Sequence, residues 1–305
     1  MDFGEAFRQI RLSKGLTLKQ LANDQVSVSQ LSQFERGLSR LSVDRFTGLL
    51  QAMQTSFDEF NQIRRGEEPN QVDELIAQYD GMRSANALVE RGQTSPDYVA
   101  MEQRIAELAA YNTRHYSLRL DQFIQIERYA AHARSHPDQG DGLQAIQYYL
   151  QNVDDWGVYE VNLFKSCMQF FPASAIMGML RITKKKVARF NALPGQNRLV
   201  INTYFTAISA FVAKDDFARA HTAHQAATTL VHQQGNVASA VLLPFMEGWI
   251  VLPERGEQPA RPLFEQTLRW QEEMGLTKQH QIWTSIYNGL LDTTARGEKQ
   301  MYSFS

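Results

Sequence analysis

Four side chains suited to reading a nucleic acid recur at helical spacing in one short segment: Ser29, Ser32, Gln33 and Arg36. At 100° per residue they fall at i, i+3, i+4 and i+7 on one face, while Leu31 and Phe34 point the other way and Val28 lies near the edge. Small hydroxyls let a helix approach closely. Gln and Ser can hydrogen-bond base edges, and a guanidinium reaches guanine or phosphate. The same pattern also suits an ordinary solvated helix face, and periodicity alone does not separate the two.

Other chemistry is thinly represented. His221, His224 and His232 can put two imidazoles on one helical face, but no Cys and no nearby carboxylate at ligand spacing completes a metal site. Cys167 is the single cysteine, which excludes an internal disulfide, a CxxC pair and a multi-thiolate cluster. Set among Phe164, Met168 and Phe171, it reads as a small buried apolar residue. There is no GxxxxGK[ST], no GxGxxG after a strand and no GxSxG. The run from Arg181 to Arg189 reads as a solvated helix face, with contact to flanking DNA or an acidic partner as the alternative. The expectation is a protein that is not an enzyme and holds no metal or other cofactor.

The elements that must position the first group are legible from their punctuation. Phe3, Phe7 and Ile10 form one apolar face of a helix that stops near Gly15. Thr17-Leu18-Lys19-Gln20 and Ser27-Val28-Ser29-Gln30 are capping-box patterns opening a second and a third helix, the third ending at Gly37. A fourth helix carries Phe46, Leu49, Leu50 and Met53, and Ser56 to Glu59 repeats the capping signal. Short helices joined this tightly predict a compact all-α bundle over residues 1–66. The polar run from Arg64 to Asn70 predicts a linker at 67–71 and a second domain over 72–305.

In that second region Gly195, Gly235 and Gly275 lie forty residues apart, and each is followed by a strongly apolar helical segment: Leu199 to Val212, Val237 to Leu252 and Gln281 to Leu291. An earlier copy runs from Trp156 to Phe171. A helix pair repeated at this period predicts an α-solenoid of tetratricopeptide-like pairs, the alternative being three coincidental helix-ending glycines. The first helix of each pair usually lines the concave side of such an array. Candidate groove residues on those helices are Glu160, Asn162, Asn202, Phe205, Met246, Trp283 and Tyr287. An apolar groove with sparse amides and acids suits a short hydrophobic peptide; the alternative is that most of these aromatics are core between repeats.

Composition agrees with a two-part helical protein. At 305 residues the chain is too long for one core of average size, and 43% hydrophobic with 21% charged residues argues against disorder. The net charge of −2 divides into +2 over residues 1–66 and −4 over the remainder. A mildly basic head permits nucleic-acid binding without establishing it. The N-terminus lacks a secretory pattern, and Val237 to Leu252, interrupted by Pro244 and Glu247, falls short of the ~20 residues of a membrane span. A soluble cytoplasmic protein with no membrane partner is expected.

The order of residues adds a resemblance. Gly15 to Phe60 resembles the phage-repressor class of helix-turn-helix domain along its whole length, and SQLSQFERGLSRLS (Ser29 to Ser42) is similar to the recognition-helix signature of the Rgg family of Gram-positive transcriptional regulators. WGVYEVNLF (Trp156 to Phe164) and LVINTYF (Leu199 to Phe205) resemble that family's helix segments, so the similarity covers nearly the whole chain. It implies that Arg11 pairs with Glu35 beneath the recognition helix. Leu18 stands where this class usually carries a Gln that contacts phosphate, leaving that contact to Lys19 or to backbone N–H groups at the helix start. The candidate base contacts are Val28, Ser29, Ser32 and Gln33, and the candidate phosphate contacts Arg8, Lys19, Arg36 and Arg40. The resemblance further implies a homodimer whose helical repeat domain binds small re-imported peptide pheromones and whose N-terminal domains bind double-stranded promoter DNA. The alternative is a regulator or interaction scaffold of the same architecture without a diffusible peptide. Thr293 to Ser305 is polar and carries no readable signal.

Overall fold

The computed structural model describes residues 1–66, 70–89, 98–135, 143–187, 196–298 and 304. Among the described residues the secondary structure is helical apart from one isolated antiparallel bridge between Asn23 and Val26. The chain divides into two compact units, Met1–Leu120 and Asp121–Ser305.

The N-terminal unit opens with α1 (Phe3–Ser13), α2 (Leu18–Leu21), α3 (Val28–Glu35), α4 (Val43–Ala52) and α5 (Phe57–Arg65). Helices this short are not stable alone, and all but α4 begin where a side chain accepts from one of the first orphan N–H groups. Complete capping boxes open α2 (Thr17 with Gln20), α3 (Ser27 with Gln30) and α5 (Ser56 with Glu59). Their apolar faces meet in one core in which the Phe46 ring lies 4.9 Å from Phe60 and 6.0 Å from Phe34, and Phe34 lies 5.6 Å from Phe7. Gly4 is required here: a Cβ on it would sit 2.0 Å from the Phe34 carbonyl oxygen, so only glycine lets α1 lie this close to the end of α3.

Two more helices, α6 (Gln71–Val89) and α7 (Tyr98–Arg114), pack on each other within this unit. Residues 67–69 of the expected linker lie outside the described residues, and its last residue, Gln71, is already helical. Asn70 caps that start by accepting the Asp73 N–H on Oδ1 at 3.0 Å. The compact unit therefore continues past the polar break to Leu120.

The C-terminal unit contains most of α8 (Leu118–Ser135), then α9 (Gln144–Asn152), α10 (Val158–Cys167), a 3₁₀ turn (Met168–Phe170) and α11 (Ala173–Lys186). Five longer helices complete it: α12 (Gln196–Ala213), α13 (Phe217–Gln234), α14 (Val237–Arg255), α15 (Glu257–Glu273) and α16 (Thr277–Ala295). Successive helices from α12 to α16 pack on one another, and α10 also meets α12, α12 meets α14 and α14 meets α16. Alternate helices thus form a row, with their partners in a second layer, which is the helix-pair stack that the glycine spacing predicts. Gly235 ends α13 in the left-handed conformation and Gly275 (φ +68°) follows α15, while Gly195 lies outside the described residues.

The apolar helix expected from Val237 to Leu252 is present as α14, which runs unbroken through both Pro244 and Pro253 to Arg255. Each proline removes one backbone hydrogen bond, but full burial of Phe245, Met246, Trp249 and Ile250 contributes about 1.5–3 kcal/mol apiece and outweighs that loss. Among the described residues it is the one helix long and apolar enough to cross a membrane, and half of its apolar window is buried inside the unit.

Candidate nucleic-acid interface and ligand groove

The polar residues of α3 are divided between structural duty and open surface. Gln30 is committed to the cap, its Oε1 accepting the Ser27 N–H at 2.9 Å. Ser29, Gln33 and Arg36 are exposed, Ser32 is half-buried, and Val28 retains 43% of its surface. Among the described residues no hydrogen bond engages the Ser29 hydroxyl or the Gln33 amide. Arg36 is less free, because its Nε donates to the Ser32 carbonyl at 3.1 Å. Arg8, Lys19 and Arg40 are exposed. Sequence reasoning passed over Leu38 and Val43, which flank the α3–α4 turn 70% and 75% exposed and offer apolar surface to a thymine methyl group.

The opposite face of α3 is anchored by an ion pair. Arg11 on α1 donates through Nε to Glu35 Oε1 at 2.6 Å and through Nη2 to Glu35 Oε2 at 2.8 Å, while its Nη1 donates to the Leu16 carbonyl at 2.7 Å. Arg11 and Glu35 are 7% and 8% exposed. Two parallel bonds from a planar guanidinium fix both distance and orientation. The bonds to Glu35 raise the Arg11 pKa above its usual range, outweighing the opposing effect of burial. The pair holds the reading helix on its scaffold and leaves neither charge for DNA.

The expected groove residues sort differently once packed. Phe205 and Met246 are fully buried and Asn202 is 7% exposed, so in this conformation they are core residues and not an open groove wall. The physical reason is that neighbouring helices cover α12 on every side from Val200 to Phe211, while Met246 lies on the covered side of α14, next to exposed Glu247. Glu160 is occupied too: its Oε2 accepts the Gly157 N–H at 2.9 Å, capping α10, and its Oε1 accepts the Tyr149 hydroxyl at 2.8 Å. Burial, then the bond to that carboxylate, pushes the Tyr149 phenol up to about 12. Asn162 is exposed, and Trp283 and Tyr287 are half-buried on α16. Phe264 stacks on Tyr287 at 4.5 Å, and the Phe245 ring meets Trp283 edge-on at 4.7 Å.

The helix row also carries residues that no local pattern announced. Phe304 rests against it, stacked on Trp283 with ring centroids 5.8 Å apart, and its backbone bonds to Lys165 and Thr206. Lys165 is 4% exposed, and burial holds its ammonium below the usual lysine range.

The remaining candidates have structural partners. Burial pushes the Cys167 thiol up to about 12. His221 Nε2 lies 3.1 Å from Glu254 Oε2 and His224 Nε2 lies 3.0 Å from the Leu243 carbonyl oxygen, and no cluster of three metal-ligating residues occurs among the described residues. In the basic run, Lys186 donates to the carbonyls of Gln151 and Val153, and Arg181 and Lys185 are exposed. Residues 188 and 189 lie outside the described residues.

Comparison with known proteins agrees with this division of labour. Residues 98–281 match the model for the C-terminal domain of the HTH-type transcriptional regulator Rgg, and residues 7–60 match a helix-turn-helix model. The fold is similar to that of the SHP pheromone receptor Rgg2 of Streptococcus dysgalactiae, at 18% identity and a TM-score of 0.68 over 94% of this chain and 99% of that one. It is similar to a protein of Listeria monocytogenes EGD-e described as a transcriptional regulator (18% identity, TM-score 0.69, 95% and 97% covered). It is also similar to PrgX in its complex with cCF10 (11% identity, TM-score 0.63, 98% and 94% covered). With the Rgg model spanning more than half its length, this chain belongs to the Rgg family of helix-turn-helix transcriptional regulators.

Proposed function

We propose that the protein is a cytoplasmic homodimeric regulator whose promoter recognition is altered by a short hydrophobic signalling peptide. The observation that carries the DNA half of this reading is the free face of α3. Ser29 and Gln33 stand unbonded beside half-buried Ser32, while every other polar side chain of that helix serves a cap or the Arg11 pair. In the major groove Val28, Ser29, Ser32 and Gln33 meet base edges, and Arg8, Lys19, Arg36 and Arg40 neutralise phosphates. Residues 1–66 are assigned to DNA and residues 72–305 to dimerisation and peptide binding.

The peptide half draws support from the shared fold of the SHP receptor and of PrgX with cCF10. Of the expected groove residues, Asn162, Trp283 and Tyr287 keep exposed surface, as does Glu160 beside its cap. Peptide binding favours one arrangement of the two subunits over another, which changes how paired recognition helices meet half-sites about 34 Å apart. The shift is limited by how much more tightly the peptide binds the favoured arrangement.

Titrating the protein against a fluorescent duplex of its own upstream promoter, with and without extracellular extract from the same culture, tests both halves. Binding that the extract strengthens or weakens is the expected result. Binding indifferent to the extract removes the peptide and leaves a ligand-free regulator. No binding to that duplex above binding to random DNA removes the promoter assignment.

A further inference from the structure

Phe304 contacts α10, α12, α14 and α16, the four helices of one row. Its ring stacks on Trp283 of α16 with an interplanar angle of 8°, and meets Trp249 of α14 at 5.6 Å and Phe205 of α12 at 6.1 Å, both edge-on. Its backbone is held at both ends by side chains. The N–H donates to Thr206 Oγ1 at 3.1 Å, and Lys165 Nζ of α10 donates to the carbonyl at 2.6 Å.

We propose that the seat Phe304 occupies among Trp283, Trp249 and Phe205 is a binding subsite for one aromatic residue of a peptide ligand, with Phe304 as its resident intramolecular competitor. The inference rests on the peptide-binding reading above and specifies its chemistry.

Three features distinguish this arrangement from ordinary core packing. First, Lys165 is a buried ammonium with no carboxylate paired to it among the described residues, and its bond goes to the Phe304 carbonyl. A desolvated cation needs an oxygen acceptor, and a peptide carbonyl from any sequence supplies one. Second, the fully buried Thr206 hydroxyl donates to the Asn202 carbonyl at 2.9 Å, which leaves its lone pairs for an incoming N–H. Thr206 and Lys165 therefore bracket one residue's backbone regardless of identity, while the ring pocket selects an aromatic side chain. Third, Phe304 and Trp283 are only half-buried, so the occupant is accessible from outside, unlike the fully buried Phe205 below it.

A tethered occupant acts at an effective concentration on the order of millimolar. A free peptide must displace it, so its apparent affinity is weakened in the native chain and recovers when the tethered ring is removed.

The probe is a fluorescein-labelled heptapeptide of the chain's own residues 299–305, KQMYSFS. It is titrated against the full-length protein and its Phe304→Ala variant. The variant is expected to bind at least tenfold more tightly than the native chain. The peptide with its Phe replaced by Ala, KQMYSAS, is expected to lose that binding, a control that leaves the protein unaltered. Phe304→Ala/Lys165→Met is expected to lose most of the gain while still binding promoter DNA. Equal affinity of the native and Phe304→Ala chains for KQMYSFS, or equal binding of the two peptides, overturns the proposal. Extracellular extract added to the same samples separates the two readings. A promoter response to extract without discrimination between the peptides sinks the subsite and spares the signalling function. Discrimination between the peptides with no response to extract keeps the subsite and sinks the signalling function.

Discussion

Replacing Glu35 with Ala tests whether the reading helix is held by the Arg11 fork. The substitution removes both acceptors of a buried guanidinium and leaves it only the Leu16 carbonyl on Nη1, 2.7 Å away. Breaking a buried pair by deleting one partner costs about 3–5 kcal/mol, and the surviving bond puts this case near 3 kcal/mol. A helical bundle of this size holds about 3–9 kcal/mol of total stability at ~0.05–0.15 kcal/mol per residue. The loss is thus a third or more of the total. At roughly 4–8 °C per kcal/mol for a small domain, the bundle's transition falls by about 12–24 °C. Differential scanning calorimetry of the full chain reads that transition, and promoter binding followed against temperature assigns it to the bundle. Arg11→Met/Glu35→Leu, which replaces the pair with apolar side chains of similar bulk, is expected to recover most of the loss, because the penalty lies in the orphaned charge. A Glu35→Ala melt within about 2 °C of the native protein refutes the reasoning. So does a double variant that melts no higher than the single one.

Three other substitutions or probes address the remaining assignments. Gln33→Ala is expected to cost about 1–3 kcal/mol at the cognate operator and little on random duplex; an equal loss on both removes Gln33 from base readout. Arg40→Gln is expected to weaken binding to every duplex and to reduce the slope of log K against log salt by about 0.9, so an unchanged slope in a fluorescence titration rules out a phosphate contact. The Cys167 thiol, raised to about 12 by burial, is protonated throughout the neutral range. With its side chain fully buried, alkylation by iodoacetamide at pH 8 should be at least about tenfold slower in the native protein than after denaturation, and equal rates would show a solvated thiol.

What the sequence revealed and what it concealed follow from how far each signal reaches along the chain. The capping pairs Thr17–Gln20, Ser27–Gln30 and Ser56–Glu59 act over three residues, so residue type and spacing suffice to place them. Gly235 and Gly275 mark the repeat because a left-handed helix end is also a local requirement. Burial is not local. Phe205 and Asn202 lie on α12, which buries Thr203, Thr206 and Ser209 along with its apolar side chains, and Met246 lies beside exposed Glu247 on α14, so only the neighbouring helices decide which side is covered. Glu160 carried a signal that was passed over: it stands three residues after Gly157, the same offset as the other caps, but glycine in the first position hid the pattern.

Phe304 lies at the far end of this scale. It meets Thr206 and Lys165 across 98 and 139 positions, and nothing in the polar stretch around it marks it as part of a pocket. This has a consequence for specificity. The helix row supplies aromatic walls and two backbone-binding groups, Lys165 and Thr206, that accept any residue's main chain. Discrimination among peptides at this position then depends on how much better an incoming ring fills the space than the tethered one does. A chain with a different residue at position 304 would present the same walls with a different threshold. On the subsite proposed above, ligand preference would be a difference between two occupants, one of them the chain's own Phe304, and would not lie in the groove lining alone.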